Sequence, residues 1–345
     1  MAWAQALDLL ENRLDLPEEL VRFCMRDILE GKADNETIKK FLLALKSKGE
    51  SAEEVGALVA EMYEHAAPIY IPQRAVDIVG TGGDGMNTIN ISTTAAIVAA
   101  AAGAVVVKHG NRAATSKCGS ADLLEALGVA INLDGKLVAE SVNQIGIGFC
   151  FAPNFHPAMK NAAAARKELG IPTIFNILGP LANPAKPKAA AIGVAKAELH
   201  LVMAEVLGNR SVEGFVFRGD DGLDELTLTT SSQVLTIGNG EIESGVIDPI
   251  EVGLKISKIE ELVGGDSKFN AGITSEILDG KVGAHRDAVV FNAGAAIAAY
   301  RGDLDRSMNA RIAEGVAAAE AAIDSGAAKK KLAEWVEVTA ALSRA

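Results

Sequence analysis

Aromatic side chains are scarce, 4% of the 345 residues, although 49% of the chain is apolar. The core must therefore be built from Ala, Val, Ile and Leu, the composition of packed helices and buried parallel strands. An α/β class follows, and the length exceeds what one core usually organises, so a large domain with a smaller one is expected. Basic residues are in deficit: 33 Lys and Arg against 45 Asp and Glu leave a net charge of −12. That balance opposes binding to nucleic acid or to an anionic membrane surface, and a polyanionic ligand would need a local basic spot. Cysteine is sparse too. Cys24, Cys118 and Cys150 have no CxxC spacing and are odd in number, so neither a disulfide framework nor a zinc site is expected, and the reduced cytoplasm is the expected location. Long apolar runs are missing: the longest, residues 95–107, is mostly alanine and too short to span a bilayer. Residues 1–20 carry Glu11, Arg13, Asp15, Glu18 and Glu19, unlike a signal or transit peptide.

Across residues 3–66 apolar side chains recur at helical spacing, as in Leu20, Val21, Cys24, Met25 and Ile28, and again in Ile38, Phe41, Leu42 and Leu45. Four short helices are expected here, the third ended by Gly49 and the fourth opened by the capping-box pair Ser51 and Glu54. With no strand signal, residues 1–70 read as a small all-helical domain. Beyond Ile71-Pro72 short apolar runs at 75–79, 104–107, 147–151, 189–194 and 212–217 alternate with helical stretches, the signature of βαβ units and a mainly parallel central sheet in a large domain, 71–345. Residues 226–256, with the turn pair Asn239-Gly240, read as short β-structure, and alanine-rich helices at 287–300, 305–325 and 329–342 close the chain. There is no internal repeat and no low-complexity linker.

After the first expected strand comes Gly80-Thr81-Gly82-Gly83-Asp84-Gly85, then a helix beginning near Ser92-Thr93. Gly80, Gly82 and Gly85 satisfy GxGxxG between a strand and a helix, so a dinucleotide site is one reading. Against it, the next strand ends in Lys108-His109-Gly110 rather than in an acidic residue for a ribose diol. Asp84 would repel a bare pyrophosphate, which makes sense where cations or ribose hydroxyls share the site. Ser92 and Thr93 can serve as helix caps, as anion ligands at a helix N-terminus, or both. The loop points to phosphate without naming which one.

The segment from Lys108 through Asn111, Arg112, Ala113, Ala114, Thr115, Ser116, Lys117, Cys118 and Gly119 to Ser120 concentrates cations and small hydrogen-bonding groups in an acidic chain, and is the expected basic spot. Asp220-Asp221-Gly222-Leu223-Asp224-Glu225 follows the strand at 212–217. Hard oxygen ligands near phosphate suggest magnesium, although such an acidic turn alone would be an ordinary solvated loop. His109 and His156 are possible bases or structural hydrogen-bond partners, and Arg166 could grip a carboxylate or face solvent.

Gly80-Thr-Gly-Gly-Asp84, Asn90-Ile-Ser-Thr93, Lys108-His-Gly-Asn-Arg112, Ser120-Ala-Asp-Leu-Leu-Glu-Ala-Leu-Gly128, Phe175-Asn-Ile-Leu-Gly-Pro-Leu-Ala-Asn-Pro184 and Asp221-Gly-Leu-Asp-Glu225, in this order, resemble the signatures of the anthranilate phosphoribosyltransferase family. The resemblance covers essentially the whole chain. It implies a helical domain helped by about 161–186, a large α/β domain with the active site in a hinge cleft, and a homodimer formed through the helical domains. It implies that phosphoribosyl pyrophosphate is held by Gly80, Gly83, Asp84, Thr88, Asn90, Ile91, Ser92, Thr93, Lys108, His109, Gly110, Asn111, Arg112, Ala113, Ala114, Thr115, Ser116 and Ser120. Magnesium, two ions per site, would be bound by Ser92, Asp224 and Glu225, and anthranilate by Gly80, Asn111 and Arg166. No acid or base catalyst is implied: Lys108 and the metal would stabilise departing pyrophosphate, with inversion at C1. Phe155, Pro172 and Cys118 depart from the family's usual His, Arg and Ser. Two other readings stand beside this one. A pyrimidine nucleoside phosphorylase would carry Lys-x-Ser-Gly-Arg where this chain has Lys108-His-Gly-Asn-Arg112. A nucleic-acid-binding relative would need a basic groove.

Overall fold

The structure, a computed structural model, describes residues 2–113 and 116–344. Four helices open the chain: α1 (Ala2–Glu11), α2 (Glu18–Leu29), α3 (Asn35–Lys48) and α4 (Ala52–Glu64). Gly49 closes α3 at φ 92°, and Ser51 and Glu54 form the expected capping box on α4, satisfying amides that the first turn leaves without partners. The bundle packs through Cys24, Met25, Ile28, Phe41 and Leu42, all fully buried.

The rest of the chain alternates strands and helices: β1 (Val76–Gly80), α5 (Ile91–Ala101), β2 (Val106–Gly110), α6 (Ser120–Ala126), α7 (Gly135–Ile145), β3 (Ile147–Phe151), α8 (Ala152–Phe155), α9 (Ala163–Leu169), α10 (Phe175–Leu181), β4 (Ala189–Gly193), α11 (Ala197–Asn209) and β5 (Glu213–Gly219). A hairpin, β6 (Ser232–Gly238) and β7 (Glu241–Ile247), precedes α12 (Ser267–Leu278), α13 (Ala284–Arg301), α14 (Met308–Asp324) and α15 (Ala327–Leu342). Asn239 and Gly240 turn the hairpin with positive φ at both, the geometry that matches strand twist.

The strands form one sheet in the order β3-β2-β1-β4-β5-β6-β7. β3 to β5 pair in parallel, whereas β6 and β7 are antiparallel. Alternation along each strand sends Val76, Ile78 and Val106 towards α5 and α13 on one face, and Ala75, Val107 and Cys150 to the other. On that second face, apolar residues of the bundle, α10, α11, β4 and β5 form one continuous cluster. The bundle therefore shares a core with the sheet instead of hanging from a linker.

Candidate active site

β4 lies beside β1, while β2 and β3 occupy the other flank of β1. The strand order reverses between β1 and β4, and in open parallel sheets the crevice at the carboxyl ends of such strands is where ligands bind. Two glycines shape it. A Cβ on Gly80, at the end of β1, would overlap the Asp224 carboxylate, and one on Gly193, at the end of β4, would overlap the Asp224 backbone. Their lack of a side chain lets the loop after β5 fold back across both strand ends.

That loop brings two carboxylates into the crevice. Asp224 Oδ2 accepts the Gly82 N–H at 2.6 Å, and Glu225 Oε1 accepts the Ser92 N–H at 3.1 Å. Both side chains are buried, and Asp84 lies against Asp224. Burial, then the neighbouring charges of Glu225 and Asp84, pushes the Asp224 carboxyl well up, while burial pushes Glu225 to about 7 against the pull of Lys108. Glu225 Oε2 is buried without a partner among the described residues. Such a pair is costly to ionise unless a cation joins it. No group of three or more His, Cys, Asp or Glu among the described residues is arranged to hold a metal alone. Asp224, Glu225 and the Ser92 hydroxyl nonetheless fit magnesium, which takes one or two carboxylates and fills its shell with phosphate oxygens and water. Asp220 and Asp221 do not reach the crevice. Asp221 accepts from Leu223 N, Thr227 Oγ1 and Thr229 Oγ1, and Asp220 from Gln233. Of the acidic run, only its last two residues line the site.

Lys108 lies beneath this pair. It is fully buried, with Nζ donating to the Ile78 carbonyl at 2.5 Å and lying 3.5 Å from Ser92 Oγ. Burial pushes its ammonium down, and the charges of Asp77, Glu225 and Asp224 oppose that shift. His109, one residue on, points to the opposite face. Its Nδ1 lies 2.8 Å from the Gly179 carbonyl, its ring meets His156 at 5.3 Å, and burial pushes its pKa down to about 3. The neutral ring thus donates from Nδ1, leaving a buried Nε2 with no partner among the described residues.

The loop before α5 and the segment after β2 are stitched together. Asn90, at the N-cap of α5, donates to the Cys118 carbonyl at 2.9 Å, and Thr93 Oγ1 donates to Ser120 Oγ at 3.0 Å. Ser92 and Thr93 are therefore the second and third residues of α5, not its cap. Thr88 bridges Val263. Arg112 is held by Asp122 and Glu125, at 3.0 and 2.5 Å, and stacks on Phe151, and with Lys108 buried the loop carries less free positive charge than its composition suggests. Gly119 is required because a Cβ there would overlap the backbone of Arg112 and Ala113. Ala114 and Thr115 lie outside the described residues, and Ser116 is exposed.

Models of the glycosyl transferase family match the chain in two parts, the helical bundle domain over residues 4–66 and the a/b domain over residues 72–329. The anthranilate phosphoribosyltransferase of Rhodococcus jostii is 48% identical over 341 residues, 99% of this chain and 94% of that protein. The chain belongs to the anthranilate phosphoribosyltransferase family. A crystal structure of a member from Thermus thermophilus superposes with a TM-score of 0.90 at 41% identity, covering 97% of this chain and 99% of that one. The Saccharomyces cerevisiae member in complex with phosphoribosyl pyrophosphate and magnesium gives 0.87 at 28% identity, covering 98% of each chain. The same yeast protein has also been solved with 4-fluoroanthranilate, with a TM-score of 0.86 at 27% identity, covering 98% of this chain and 99% of that one.

The glycine-rich loop, the 108–120 segment and the acidic turn of the anthranilate phosphoribosyltransferase motifs are brought together at the carboxyl ends of the central strands, while the Phe175–Pro184 motif packs on the bundle side of the sheet and Arg166 stands apart on α9. Its guanidinium lies over the Phe175 ring at 5.6 Å and burial pushes its pKa down, with no carboxylate at ion-pair distance among the described residues. Asn111 is exposed, its Oδ1 accepting the Arg112 N–H at 2.7 Å. Phe155 is buried beside Val107 and Cys150, and the Pro172 carbonyl accepts from Lys46 of α3 at 2.8 Å. Sequence reasoning missed Asp77 and Asn292, and it met Asn183 only inside the Phe175–Pro184 motif, with no role of its own. Asp77 is buried in β1, accepting from Asn183 Nδ2 at 2.8 Å and from the His109 N–H at 3.3 Å, and burial pushes it to about 6. Asn292 of α13 grips both backbone groups of Leu226, next to Glu225, at 2.9 and 3.0 Å. For Asp77 in β1 and Asn292 in α13 the signal was a lone polar residue inside an apolar strand or helix, which has to find partners.

Proposed function

We infer that the protein transfers the 5-phosphoribosyl group from phosphoribosyl pyrophosphate to the amine of anthranilate, releasing pyrophosphate, the second step of tryptophan biosynthesis from chorismate. The observation that carries this is the buried pair Asp224 and Glu225, folded over the glycine-rich loop beside Ser92, with one oxygen left without a partner among the described residues. Family membership across the chain supports the donor and the acceptor together. A dinucleotide site is disfavoured by the same pair, which would repel a pyrophosphate that arrives without a cation.

Phosphoribosyl pyrophosphate is held by Gly80, Gly83, Asp84, Thr88, Asn90, Ile91, Ser92, Thr93, Ser120 and the segment 108–116. Anthranilate is held by Gly80, Asn111 and Arg166, whose fork suits a carboxylate. Two magnesium ions per site, held through Ser92, Asp224 and Glu225, would supply charge neutralisation at the pyrophosphate when bound. The arylamine is neutral near pH 7, so the protein needs no general base; its task is to align amine, C1 and leaving oxygen. The α5 N-terminus and the amides of the glycine-rich loop receive the leaving charge, with Lys108 behind them. C1 inverts, with no covalent enzyme intermediate. Residues 1–70, helped by about 161–186, act as the small domain over the large one, 71–345. A homodimer through the helical domains and a cytoplasmic location complete the reading.

The test is pyrophosphate release at saturating substrates in Asp224→Asn and Glu225→Gln. Each is expected to lower turnover by about a hundredfold or more, the usual cost of removing one preorganised electrostatic group, and to raise the magnesium concentration at half activity. Unchanged kinetics in both would refute the metal assignment.

A further inference from the structure

Asn270 lies on α12, far in sequence from every motif of the site, and is 2% exposed. Its Oδ1 accepts the Gly265 N–H at 2.8 Å, and its Nδ2 donates to Asn90 Oδ1 at 2.8 Å. Asn90 Nδ2 in turn donates to the Cys118 carbonyl at 2.9 Å. The chain of bonds starts at a backbone N–H and ends at a backbone C=O. Both ends have fixed polarity, so neither amide can flip without setting donor against donor or acceptor against acceptor. The segment carrying Asn270 is itself sewn to the glycine-rich loop: Ile89 N–H donates to Leu262 O at 2.9 Å, and Gly264 N–H to Asn87 O at 2.8 Å. A Cβ on Gly264 would crowd both the Thr88 carbonyl, at 2.7 Å, and Asn270 Oδ1, at 2.8 Å.

We propose that Asn270 is a positioning residue for the phosphoribosyl pyrophosphate site, locking the glycine-rich loop and the 116–120 loop in register through the one-way amide relay Gly265–Asn270–Asn90–Cys118. It touches no substrate. Its work is to hold Asn90 in one orientation and to tie together two loops that approach the donor from different strands, β1 and β2. Ordering those loops before the donor arrives removes a cost that binding would otherwise meet. The inference rests on the donor reading given above and adds to it a part of the molecule outside the motifs.

Asn270→Asp tests it because the side chain keeps its shape and only the polarity changes. The introduced carboxylate can still accept from Gly265, but then meets Asn90 Oδ1 with an oxygen; if Asn90 turns to donate to it, Asn90 Oδ1 faces the Cys118 carbonyl. One bond of the relay is lost in either arrangement. Binding of phosphoribosyl pyrophosphate with magnesium is measured by titration calorimetry without anthranilate, beside steady-state kinetics for each substrate. The expected result is weaker donor binding and a donor KM raised about tenfold, about 1.4 kcal/mol, with the anthranilate KM and kcat changed less than about twofold. Asn270→Ala, measured the same way, removes the relay without placing a charge and is expected to give the same split if the aspartate variant does not fold. Donor affinity equal to wild type in a folded variant would overturn the proposal, as would equal rises in both KM values. Failure of the wild type to bind the donor at all would instead count against the functional reading.

Discussion

At the residue scale the site depends on side chains that are missing as much as on those present. Gly193 has an ordinary backbone conformation, yet a Cβ there would overlap the Asp224 carbonyl carbon and oxygen. Gly193→Ala must therefore push the acidic turn off the end of β4. Overpacking of this kind costs about 1–3 kcal/mol, and here the displaced atoms belong to the residue that meets the Gly82 amide. Denaturant unfolding should show that loss, and turnover should fall more steeply than stability, because Asp224 and Glu225 move together. Unaltered turnover would mean that the acidic turn is not held against β4.

At the element scale the most constrained piece is the stretch after α9 that contains α10. Its backbone is gripped by side chains from separate elements. His109 of β2 takes the Gly179 carbonyl, Tyr63 of α4 and Arg210 take that of Leu181, and His156 takes that of Ala182. Asn183 then reaches both Asp77 Oδ2 and the Val107 carbonyl at 2.8 Å. His109 is pushed from the usual 6.5 down to about 3, so its contribution to stability is complete above the unfolded value and is lost as pH falls through that range towards 3. Asp77, pushed up from 3.8 to about 6, acts in the opposite sense, its contribution present below the unfolded value and fading as pH rises through about 6. His109→Asn keeps a donor for Gly179 and removes the titration. Between about pH 6.5 and 5 the wild type should lose about 1–2 kcal/mol more of unfolding free energy than this variant. Parallel pH profiles in urea titrations would show that the ring is not buried neutral.

Most of these elements could be read from sequence because apolar periodicity and turn chemistry agree locally. The Ser51 capping box, the Asn239-Gly240 hairpin and the strand at Ile147–Phe151 all stand where the sequence puts them. Strand ends were displaced by up to three residues, as at β2, expected over 104–107, which begins at Val106 and runs on through Lys108 to Gly110. A lysine inside a strand looks like a loop residue until Ile78, Ser92 and the acidic pair are seen to receive it. The glycine-rich loop and the 108–120 segment were legible because glycines and hydroxyls cluster in sequence. Asn270, Asn292 and Asp77 were not, because each acts through partners far along the chain, and only folding makes them neighbours.

At the scale of the whole molecule, the carboxyl ends of the central strands collect the glycine-rich loop, the segment after β2 and the acidic turn, and the reversal of strand order between β1 and β4 opens the crevice there. The helical bundle is joined to the opposite face through a shared apolar cluster, so Arg166 on α9 is set on the bundle's side while the acidic pair stays with the sheet. Under the proposed function donor and acceptor fall to different parts of the fold, and a net charge of −12 is compatible with a phosphorylated substrate held by amides, hydroxyls and a cation rather than by an exposed basic surface. The most direct test of donor, acceptor and metal together is the intrinsic fluorescence of anthranilate on mixing with the protein, phosphoribosyl pyrophosphate and magnesium, with a chelator control. The expected result is a loss of fluorescence that requires all components and is abolished by the chelator. No loss, with pyrophosphate released only when other aromatic acids or bases are supplied, would contradict the assignment of anthranilate as the acceptor.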